Sequence, residues 1–526
     1  MLASATACHA AFRPGCEDAS WDADTDYFLD KYDPKDETLP IAPTYNKTFV
    51  AIRNRQRRHV VLHCTNEPPP RSIVGEEALM VKVPVTSVAA LDGFSQTVIE
   101  MLGLSSTIKR TGAYSDVTSS CIRGNMMNNV TYDDDNWDKA DPVNVTFYGD
   151  WTRQDKKSVL IYNNGMYPPL SQLAYIKFIG MFYGAEQVAN RVYDEIADSY
   201  RCAAAQVQQA FMTGGDDDVP SGAFISPVQK SGEGDDLTVF QSEWWSSLLS
   251  DAGSKLVNVS ADGDTANKRF GPKSVNVQAH SDASAFAKQT WAIIDTTQYD
   301  QLPGKRAPAQ SPSSDRVDAK SYSQRSGAAP NAYAVKNNNV YLVDKAENRN
   351  LRHNFFDRGS ARPDLALRDV ISIVAPKLLA SGYTTSFLRS VTSPGDKTAL
   401  IRKPDACPAR GGEVEALQLV PCDAPSWVKG YKASGLTANA YDRPADSSVK
   451  SLAAGGGGGG LTGGQKAGIA VGTVCGVGLV VAGAVLAVVL VRKRRSSSSR
   501  EEEEELRKKR EMEQVEKGST NSRSTR

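Results

Sequence analysis

One stretch near the middle of the chain, residues 185–212, reads AEQVANRVYDEIADSYRCAAAQVQQAFM and decides the fold. Its apolar residues recur about every fourth position: Val188, Val192, Ile196, Tyr200, Ala203, Val207 and Phe211. Apolar residues at this spacing line one face of an α-helix. We therefore predict one unbroken amphipathic helix of about eight turns.

The segments on both sides of this helix alternate between strand and helix patterns. Before it, strands are predicted at 60–62, 80–85 and 159–162, with helices at 88–102 and 171–183. After it, we predict strands at 223–225, 291–294 and 340–343, with helices at 244–252 and 364–379. Strands that alternate with helices favour a largely parallel sheet. The predicted fold class is α/β, with two Rossmann-like lobes joined by one long α-helix.

A second organising feature is the uncharged apolar run at 467–491, which is long enough to cross a bilayer. Four basic residues follow it directly, so the positive-inside rule makes this end cytoplasmic. We expect a single-pass type I protein of the plasma membrane or endomembrane, with its N-terminal domain extracellular or lumenal. Gly468, Gly472 and Gly476 clear one face of the span, which would allow a homodimer.

These features divide the chain into eight segments. The predicted order is an N-terminal segment (1–46), an N-terminal α/β lobe (47–170), lobe-joining helices (171–213), a C-terminal α/β lobe (214–383), a Cys-containing extension (384–442), a Gly-rich stalk (443–466), the transmembrane helix (467–491) and a cytoplasmic tail (492–526). Residues 1–12 are too short and too weakly apolar for a full signal peptide. We expect the natural chain to begin further upstream, and entry directed by the C-terminal span is the alternative.

Charge and cysteine content limit the partners and the compartment. The chain has 61 basic and 61 acidic residues, and this balance argues against nucleic acid as a partner. Seven of the eight cysteines precede the span, on the side where disulfides persist. Cys407 and Cys422 are the predicted pair, and the other pairings stay open. Four glycosylation sequons lie on the same side, at Asn46, Asn129, Asn144 and Asn258.

Several stretches resemble a known family. Residues 86–104 resemble a strand-loop-helix that ends in a Leu-Gly turn, 170–200 a lobe-joining helix pair, and 361–370 a helix that starts with Arg-Pro-Asp. The WWSSLLSDAG segment at 244–253 is similar to a further family helix. Together they resemble the class III periplasmic substrate-binding proteins of the iron–siderophore, haem and cobalamin type, in a eukaryotic membrane-tethered form. The resemblance implies a ligand held between two lobes.

The chemistry of the ligand is predicted from residue types. The chain has five histidines and none forms a ligand pair, so we expect no bare metal site. A chelated metal needs aromatic walls and cationic donors instead. The predicted ligand-binding residues are Tyr114, Tyr167, Trp244, Trp245, Arg352 and Arg358, and Arg349 is a further cationic candidate. Arg362 and Asp364 are predicted to be structural, with Asp364 as a cap and Pro363 in the first helical turn.

The sequence therefore predicts a cell-surface protein that captures a chelated nutrient for uptake through a membrane transport or endocytic partner. The preferred ligand is an iron–siderophore complex. It carries no nucleophile elbow, zinc-protease motif or phosphate loop, so we expect neither an enzyme nor an intrinsic cofactor. Cobalamin or haem is an alternative ligand. A non-transport adhesion or sensing ectodomain on the same fold is an alternative function.

Overall fold

The lobe-joining helix is the central element of the computed structural model, where it runs without a break over Glu186–Thr213. The structure describes residues 12–34, 42–53, 59–149, 156–161, 165–213, 220–227, 236–257, 275–278, 285–297, 322, 331–350, 352–393, 396 and 398–401. The chain divides into two units, Met1–Arg443 and Pro444–Arg526, and every described residue lies in the first.

Several predictions fall outside the described residues. They are the 467–491 span with its glycines, the stalk, the tail, the Cys407–Cys422 pair and the sequon at Asn258. Within the described part of the chain, no helix is long and apolar enough to cross a membrane.

The first lobe contains two sheets among the described residues. One has the order β1-β2-β3-β4, in which β1 to β3 are antiparallel and β4 runs parallel to β3. The other has the order β6-β5-β7-β8 and is parallel throughout. These strands are Ala42–Tyr45 (β1), Val50–Arg53 (β2), His59–His63 (β3), Leu79–Lys82 (β4), Val88–Ala90 (β5), Ile108–Thr111 (β6), Val145–Tyr148 (β7) and Ser158–Leu160 (β8).

The second lobe is built on a mixed sheet of described strands in the order β12-β10-β9-β13-β14-β16. Its centre is parallel, because β13 runs parallel to both β9 and β14, whereas the outer strands β10, β12 and β16 are antiparallel. The strands of this lobe are Ser221–Pro227 (β9), Asp236–Val239 (β10), Lys255–Leu256 (β11), Val275–Gln278 (β12), Ala292–Asp295 (β13), Val340–Leu342 (β14), Ala346–Glu347 (β15), Arg389–Ser390 (β16) and Ala399–Leu400 (β17).

The helices cover both lobes and the connection between them. They are Arg71–Val74 (α1), Gly93–Met101 (α2), Ser120–Met127 (α3), Pro169–Leu173 (α4), Tyr175–Phe182 (α5), Glu186–Thr213 (α6), Glu243–Asp251 (α7), Ala285–Gln289 (α8), Tyr333–Lys336 (α9) and Pro363–Val374 (α10). A short π-helix, Phe355–Gly359, precedes α10.

The buried residues of helix α6 lie on its predicted apolar face. Val192, Ile196 and Tyr200 are buried, as are Ala203 and Val207. Two polar contacts fix the helix to the second lobe. Tyr200 donates a hydrogen bond to Asp251 at the end of α7, at 2.5 Å, and Ser199 donates one to Asp364 of α10, at 3.2 Å. The helix therefore forms a firm joint with α7 and α10.

Three predicted helices differ from the structure, and the strand predicted at 80–85 ends at Lys82. The stretch predicted as one helix at 88–102 is strand β5, a loop and then α2, because Asp92 caps α2 by accepting a hydrogen bond from the Ser95 amide at 2.9 Å. The helix predicted at 171–183 is divided into α4 and α5 at Ala174. The closing helix ends at Val374 rather than 379, and a 3₁₀ turn over Pro376–Leu378 follows.

The start of α10 confirms one prediction and corrects another. Pro363 occupies the first turn, as expected. Asp364 does not cap the helix. Its two carboxylate oxygens instead accept a bidentate pair of hydrogen bonds from the fully buried Arg362, at 2.9 and 3.0 Å. The resulting ion pair lies in the core, where Arg368 also approaches Asp364.

A disulfide that the sequence left open joins Cys16 to Cys64, which lies just after β3. Cys121 and Cys202 are also disulfide-bonded. The Cys16 bond fixes a strap, defined as residues 12–34, to the first lobe. The strap also contacts the lobe-joining helices, since Lys177 donates a hydrogen bond to the Asp33 carbonyl at 3.0 Å and Gln187 donates one to Asp30 at 2.6 Å.

Candidate functional site

The two lobes meet first at the N-terminus of helix α7. The backbone amide of Trp244 donates a hydrogen bond to the carbonyl of Gly165, at 3.0 Å. Gly165 follows strand β8 of the first lobe and has a positive φ of 76°. A Cβ on Gly165 would lie 2.6 Å from Trp245 Nε1 and 3.0 Å from Ser242 Oγ. Only a glycine therefore allows this approach without a shift of the indole.

Behind this contact lies an aromatic cluster in the second lobe. Trp244 is 3% exposed and Trp245 is 7% exposed, so both indoles are buried. The Trp245 ring lies 4.7 Å from the Phe240 ring and 4.9 Å from the Phe224 ring, measured between centroids. The cluster consists of Phe224, Phe240, Trp244, Trp245, Phe355, Phe356 and Phe387.

Three side-chain polar atoms at the start of α7 are buried without a hydrogen-bond partner, and two of them, on Trp245 and Ser242, face Gly165. They are Nε1 of Trp244, Nε1 of Trp245 and Oγ of Ser242, the residue that precedes α7. An indole N–H is a donor and a hydroxyl can donate. Burial of an unsatisfied donor costs about 1–3 kcal/mol. The positive end of the α7 helix dipole lies at this same N-terminus. This end of the helix is thus suited to oxygen acceptors.

The lobes meet a second time where residues 348–350 and 352–358 of the second lobe lie against residues 115–119 of the first. The Asn348 side-chain amide donates hydrogen bonds to the carbonyls of Ser115 and Val117, at 2.9 and 3.0 Å. Arg352 lies 3.7 Å from Asp116, measured from Nε to Oδ1. Contacts of residues so distant in the chain hold the two lobes together here.

The centre of this second contact is Asp357 on the π-helix. Thr118 Oγ1 lies 2.6 Å from Asp357 Oδ2 and 3.1 Å from Asn354 Oδ1. The Asp357 carboxyl group also lies against Gly93, the first residue of α2. Removal from water raises the pKa of Asp357 to about 7, and the neighbouring Asp92 and Asp116 act in the same direction. The Thr118 hydrogen bond and Arg352 oppose this shift.

The structure distributes the predicted ligand residues over both contacts. Trp244 and Trp245 lie in the aromatic cluster, and Tyr167 is buried two residues beyond Gly165. Tyr114 is 37% exposed, and the Arg123 guanidinium stacks over its ring at 4.4 Å. No described contact tests whether these residues bind a ligand, so their assignment stays a prediction.

The predicted arginines lie in the second contact. Arg352 faces Asp116, and Arg358 lies 3.8 Å from Glu100 of α2, measured from Nη1 to Oε1. Glu100 in turn accepts a hydrogen bond from the Ser119 hydroxyl. In this structure both guanidinium groups therefore face carboxylates of the other lobe. Their assignment as ligand contacts also stays a prediction.

Sequence reasoning missed the residues at the centre of the second contact: Asp92, Gly93, Thr118, Asn348 and Asp357. A signal was present for two of them. Asp92 stands three residues before Ser95, which is the spacing of a helix cap, and Gly93 follows it. Reading 88–102 as one helix concealed this loop. Nothing local in the sequence marks Thr118 or Asp357.

The described residues form no group of three or more His, Cys, Asp or Glu side chains suited to a metal ion. Three of the four predicted glycosylation asparagines, Asn46, Asn129 and Asn144, are exposed. The Asn144 side-chain oxygen accepts hydrogen bonds from the amides of Thr86 and Ser87, so its amide nitrogen is directed away from these bonds.

No protein-family model matches this chain, and no curated protein matches it. Solved structures do show similarity. A periplasmic binding protein from Veillonella parvula is 11% identical, with 55% of this chain and 91% of that chain covered and a TM-score of 0.39. A periplasmic heme binding protein from Pseudomonas aeruginosa is 10% identical, with 60% and 99% covered and a TM-score of 0.38.

An ABC-type Fe3+-hydroxamate transport system protein from Saccharomonospora viridis is 11% identical, with 56% of this chain and 94% of that chain covered and a TM-score of 0.38. The α/β chain described above is thus similar in structure to periplasmic binding proteins. At TM-scores below 0.5, none of these similarities defines a ligand for this chain.

Proposed function

We propose that this protein is a solute-binding protein that holds an oxygen-rich chelate between its two lobes at the N-terminus of α7. The preferred ligand is an iron–siderophore complex. One observation carries the proposal. Trp245 and Ser242 present buried donors without partners at the place where Gly165 of the other lobe arrives, and Trp244 beside them carries a third. Binding is the whole mechanism, with lobe closure and no covalent step.

The chemistry of the site favours such a ligand over a bare ion or an apolar molecule. The oxygens of a ferric hydroxamate are acceptors, and they would satisfy the indole N–H groups and the hydroxyl group. The aromatic cluster supplies the apolar wall that a drug-sized ligand needs. The N-terminal end of α7 adds a favourable field for negative charge.

The location of the protein is part of the proposal. The apolar run at 467–491 and the basic residues after it support a single span with the lobes on the outer face. A chelate captured there would pass to a membrane transporter or be internalised. Glycosidase treatment of protein from a eukaryotic host checks this: we expect a mass shift that disappears in a variant with Asn46, Asn129, Asn144 and Asn258 all changed to Gln.

Titration of the detergent-solubilised full chain with ferric hydroxamate, haem and cobalamin, followed by Trp fluorescence, tests the ligand. We expect quenching by the ferric hydroxamate. Trp245→Phe keeps the ring and removes the N–H, so affinity should fall about 10-fold or more. Trp21→Phe is the matched control, because the indole of Trp21, in the strap, already donates a hydrogen bond to Thr48 outside it.

The outcomes separate the alternatives. Quenching by haem or cobalamin alone would change the ligand and keep the solute-binding function. The absence of binding to all three would overturn the proposal and favour an adhesion or sensing ectodomain. Equal affinity in Trp245→Phe and the parent would remove the α7 site as the place of binding.

A further inference from the structure

The second interlobe contact has a feature that ligand binding does not explain. Residues 348–350 and 352–358, here named the latch, bring a partly buried carboxyl group, Asp357, onto the first residue of α2. The latch is anchored in its own lobe, since the Phe355 ring lies 5.8 Å from the Trp244 ring and 5.9 Å from the Phe387 ring. Asp357 thus sits on a fixed support and faces the other lobe.

The number of acceptors around the Thr118 hydroxyl determines which groups must carry a proton. A threonine hydroxyl has one proton, yet Thr118 Oγ1 is within hydrogen-bond distance of two acceptor oxygens, on Asp357 and on Asn354. Both bonds form when Asp357 is protonated, because it then donates to Thr118 and Thr118 donates to Asn354. When Asp357 ionises, the Thr118 hydroxyl proton must point to the Asp357 carboxylate. The Asn354 side-chain amide must then flip, so that its NH₂ group donates to Thr118.

The charges around Asp357 disfavour its ionised form. Asp92, the cap of α2, accepts hydrogen bonds from Ser95 on both oxygens, and Asp116 also lies in the first lobe; negative charge on either raises the pKa of Asp357, while burial raises the pKa of Asp92 itself. The cations nearby already face other carboxylates. Arg352 faces Asp116, Arg358 faces Glu100, and Arg362 is paired with Asp364 of α10. The remaining charged or titratable groups of this region are the buried His353, the exposed Arg349 and, just before the latch, the buried Glu347.

We propose that the contact between the latch and α2 is a proton-dependent lock, in which protonated Asp357 closes the two lobes and its ionisation loosens them. The inference does not depend on the identity of the ligand. It adds a control by pH to the interlobe contact, and the chemical trigger is the proton alone.

The direction of the dependence follows from linkage. Closure raises the pKa of Asp357 from its ordinary value of 3.8 to about 7. The closed form therefore binds the proton more tightly than an open form with water around the carboxyl group. The free energy that Asp357 contributes to closure is therefore largest below about pH 4. It decreases as the pH rises from 4 to 7 and does not change further above pH 7.

Hydrogen exchange of the full chain in detergent, corrected for the intrinsic pH dependence, tests the lock. We expect the protection of the amides at 93–96 and 115–119 to fall about 10-fold or more between pH 5 and pH 7.5. Asp357→Asn keeps the shape without the charge, so its protection should not vary over this range. Asp135→Asn, at an exposed carboxylate, should keep the parent's dependence.

A second variant removes the hydroxyl that relays the hydrogen bond. Thr118→Val should lower the protection at pH 5 to the parent's value at pH 7.5. A parent without pH dependence would overturn the lock, and so would an Asp357→Asn variant that keeps it. If Asp357→Asn fails to fold, judged by near-UV circular dichroism, then unchanged protection in Thr118→Val would overturn the lock.

Discussion

The carboxyl group of Asp357 lies directly against the Cα of Gly93, so the first residue of helix α2 in one lobe touches the π-helix of the other. A methyl group on Gly93 would overlap the carboxyl group. This single contact determines how closely the two lobes approach on this side, and substitutions on either partner can test it.

Gly93→Ala should force the π-helix away from α2. Overpacking of this kind costs about 1–3 kcal/mol. We expect a lower free energy of unfolding in urea and faster hydrogen exchange at 115–119. In the Asp357→Ala background the same substitution should cost much less, because the overlapping group is gone. Equal costs in both backgrounds would contradict the contact.

Glu186, the first residue of α6, should make stability depend on pH. Its side chain is 1% exposed, neither carboxylate oxygen has a hydrogen-bond partner, and burial raises its pKa from 4.5 to about 8. The folded pKa is raised, so this group destabilises the fold progressively as the pH rises from about 4.5 to 8. Glu186→Gln should remove that loss and stabilise the protein by roughly 2–3 kcal/mol at pH 8.

Urea unfolding of the parent and of Glu186→Gln at intervals from pH 5 to pH 9 measures this effect. The two curves should lie together near pH 5 and diverge upward. Glu77→Gln, at an exposed position, is the control and should follow the parent. Parallel pH profiles for Glu186→Gln and the parent would show that Glu186 is satisfied in solution.

The Cys16–Cys64 disulfide should stabilise the first lobe through the loop that it closes. Its sequence separation is 48 residues, for which the chain-entropy relation gives about 4 kcal/mol. The Cys16→Ser/Cys64→Ser variant should therefore unfold at lower urea concentration. Limited proteolysis should cut it first within the strap. First cleavage in the second lobe would mean that the bond does not hold the strap.

Asp369 on α10 should be among the most sensitive positions of the second lobe. Its carboxylate accepts hydrogen bonds from the backbone amides of Ser386, Phe387 and Leu388 and from the Tyr383 hydroxyl. Asp369→Ala leaves these donors without an acceptor, at a cost of about 3–5 kcal/mol. Ser372→Ala, one helical turn away, removes one hydrogen bond and should cost about 1 kcal/mol. Thermal unfolding compares the two.

The long elements were predictable because their pattern extends over many turns. Helix α6 begins one residue after the predicted start and ends one residue after the predicted end. The buried central strands β9, β13 and β14 were also found from short apolar runs. The antiparallel strands β10, β12 and β16 were missed, since runs of two to four residues carry no pattern of their own.

The site was less predictable for a different physical reason. Adjacent tryptophans such as Trp244 and Trp245 point to different faces of a helix, and only the tertiary structure shows that both are buried. From the sequence alone, Arg352 and Arg358 are cations without an identified partner, so an anionic chelate was predicted to bind them. Their facing carboxylates, Asp116 and Glu100, come from the other lobe, and no local spacing could have indicated them.

The π-helix has a thermodynamic consequence. A π turn holds an extra residue, and Phe355 and Asp357 stand on different sides of it, one in the aromatic cluster and one against α2. A ligand that moves the cluster toward closure would then also raise the affinity of Asp357 for its proton, and the coupling is reciprocal. Ligand capture would take up a fraction of a proton from the medium. The calorimetric heat of binding should therefore vary with the ionisation enthalpy of the buffer.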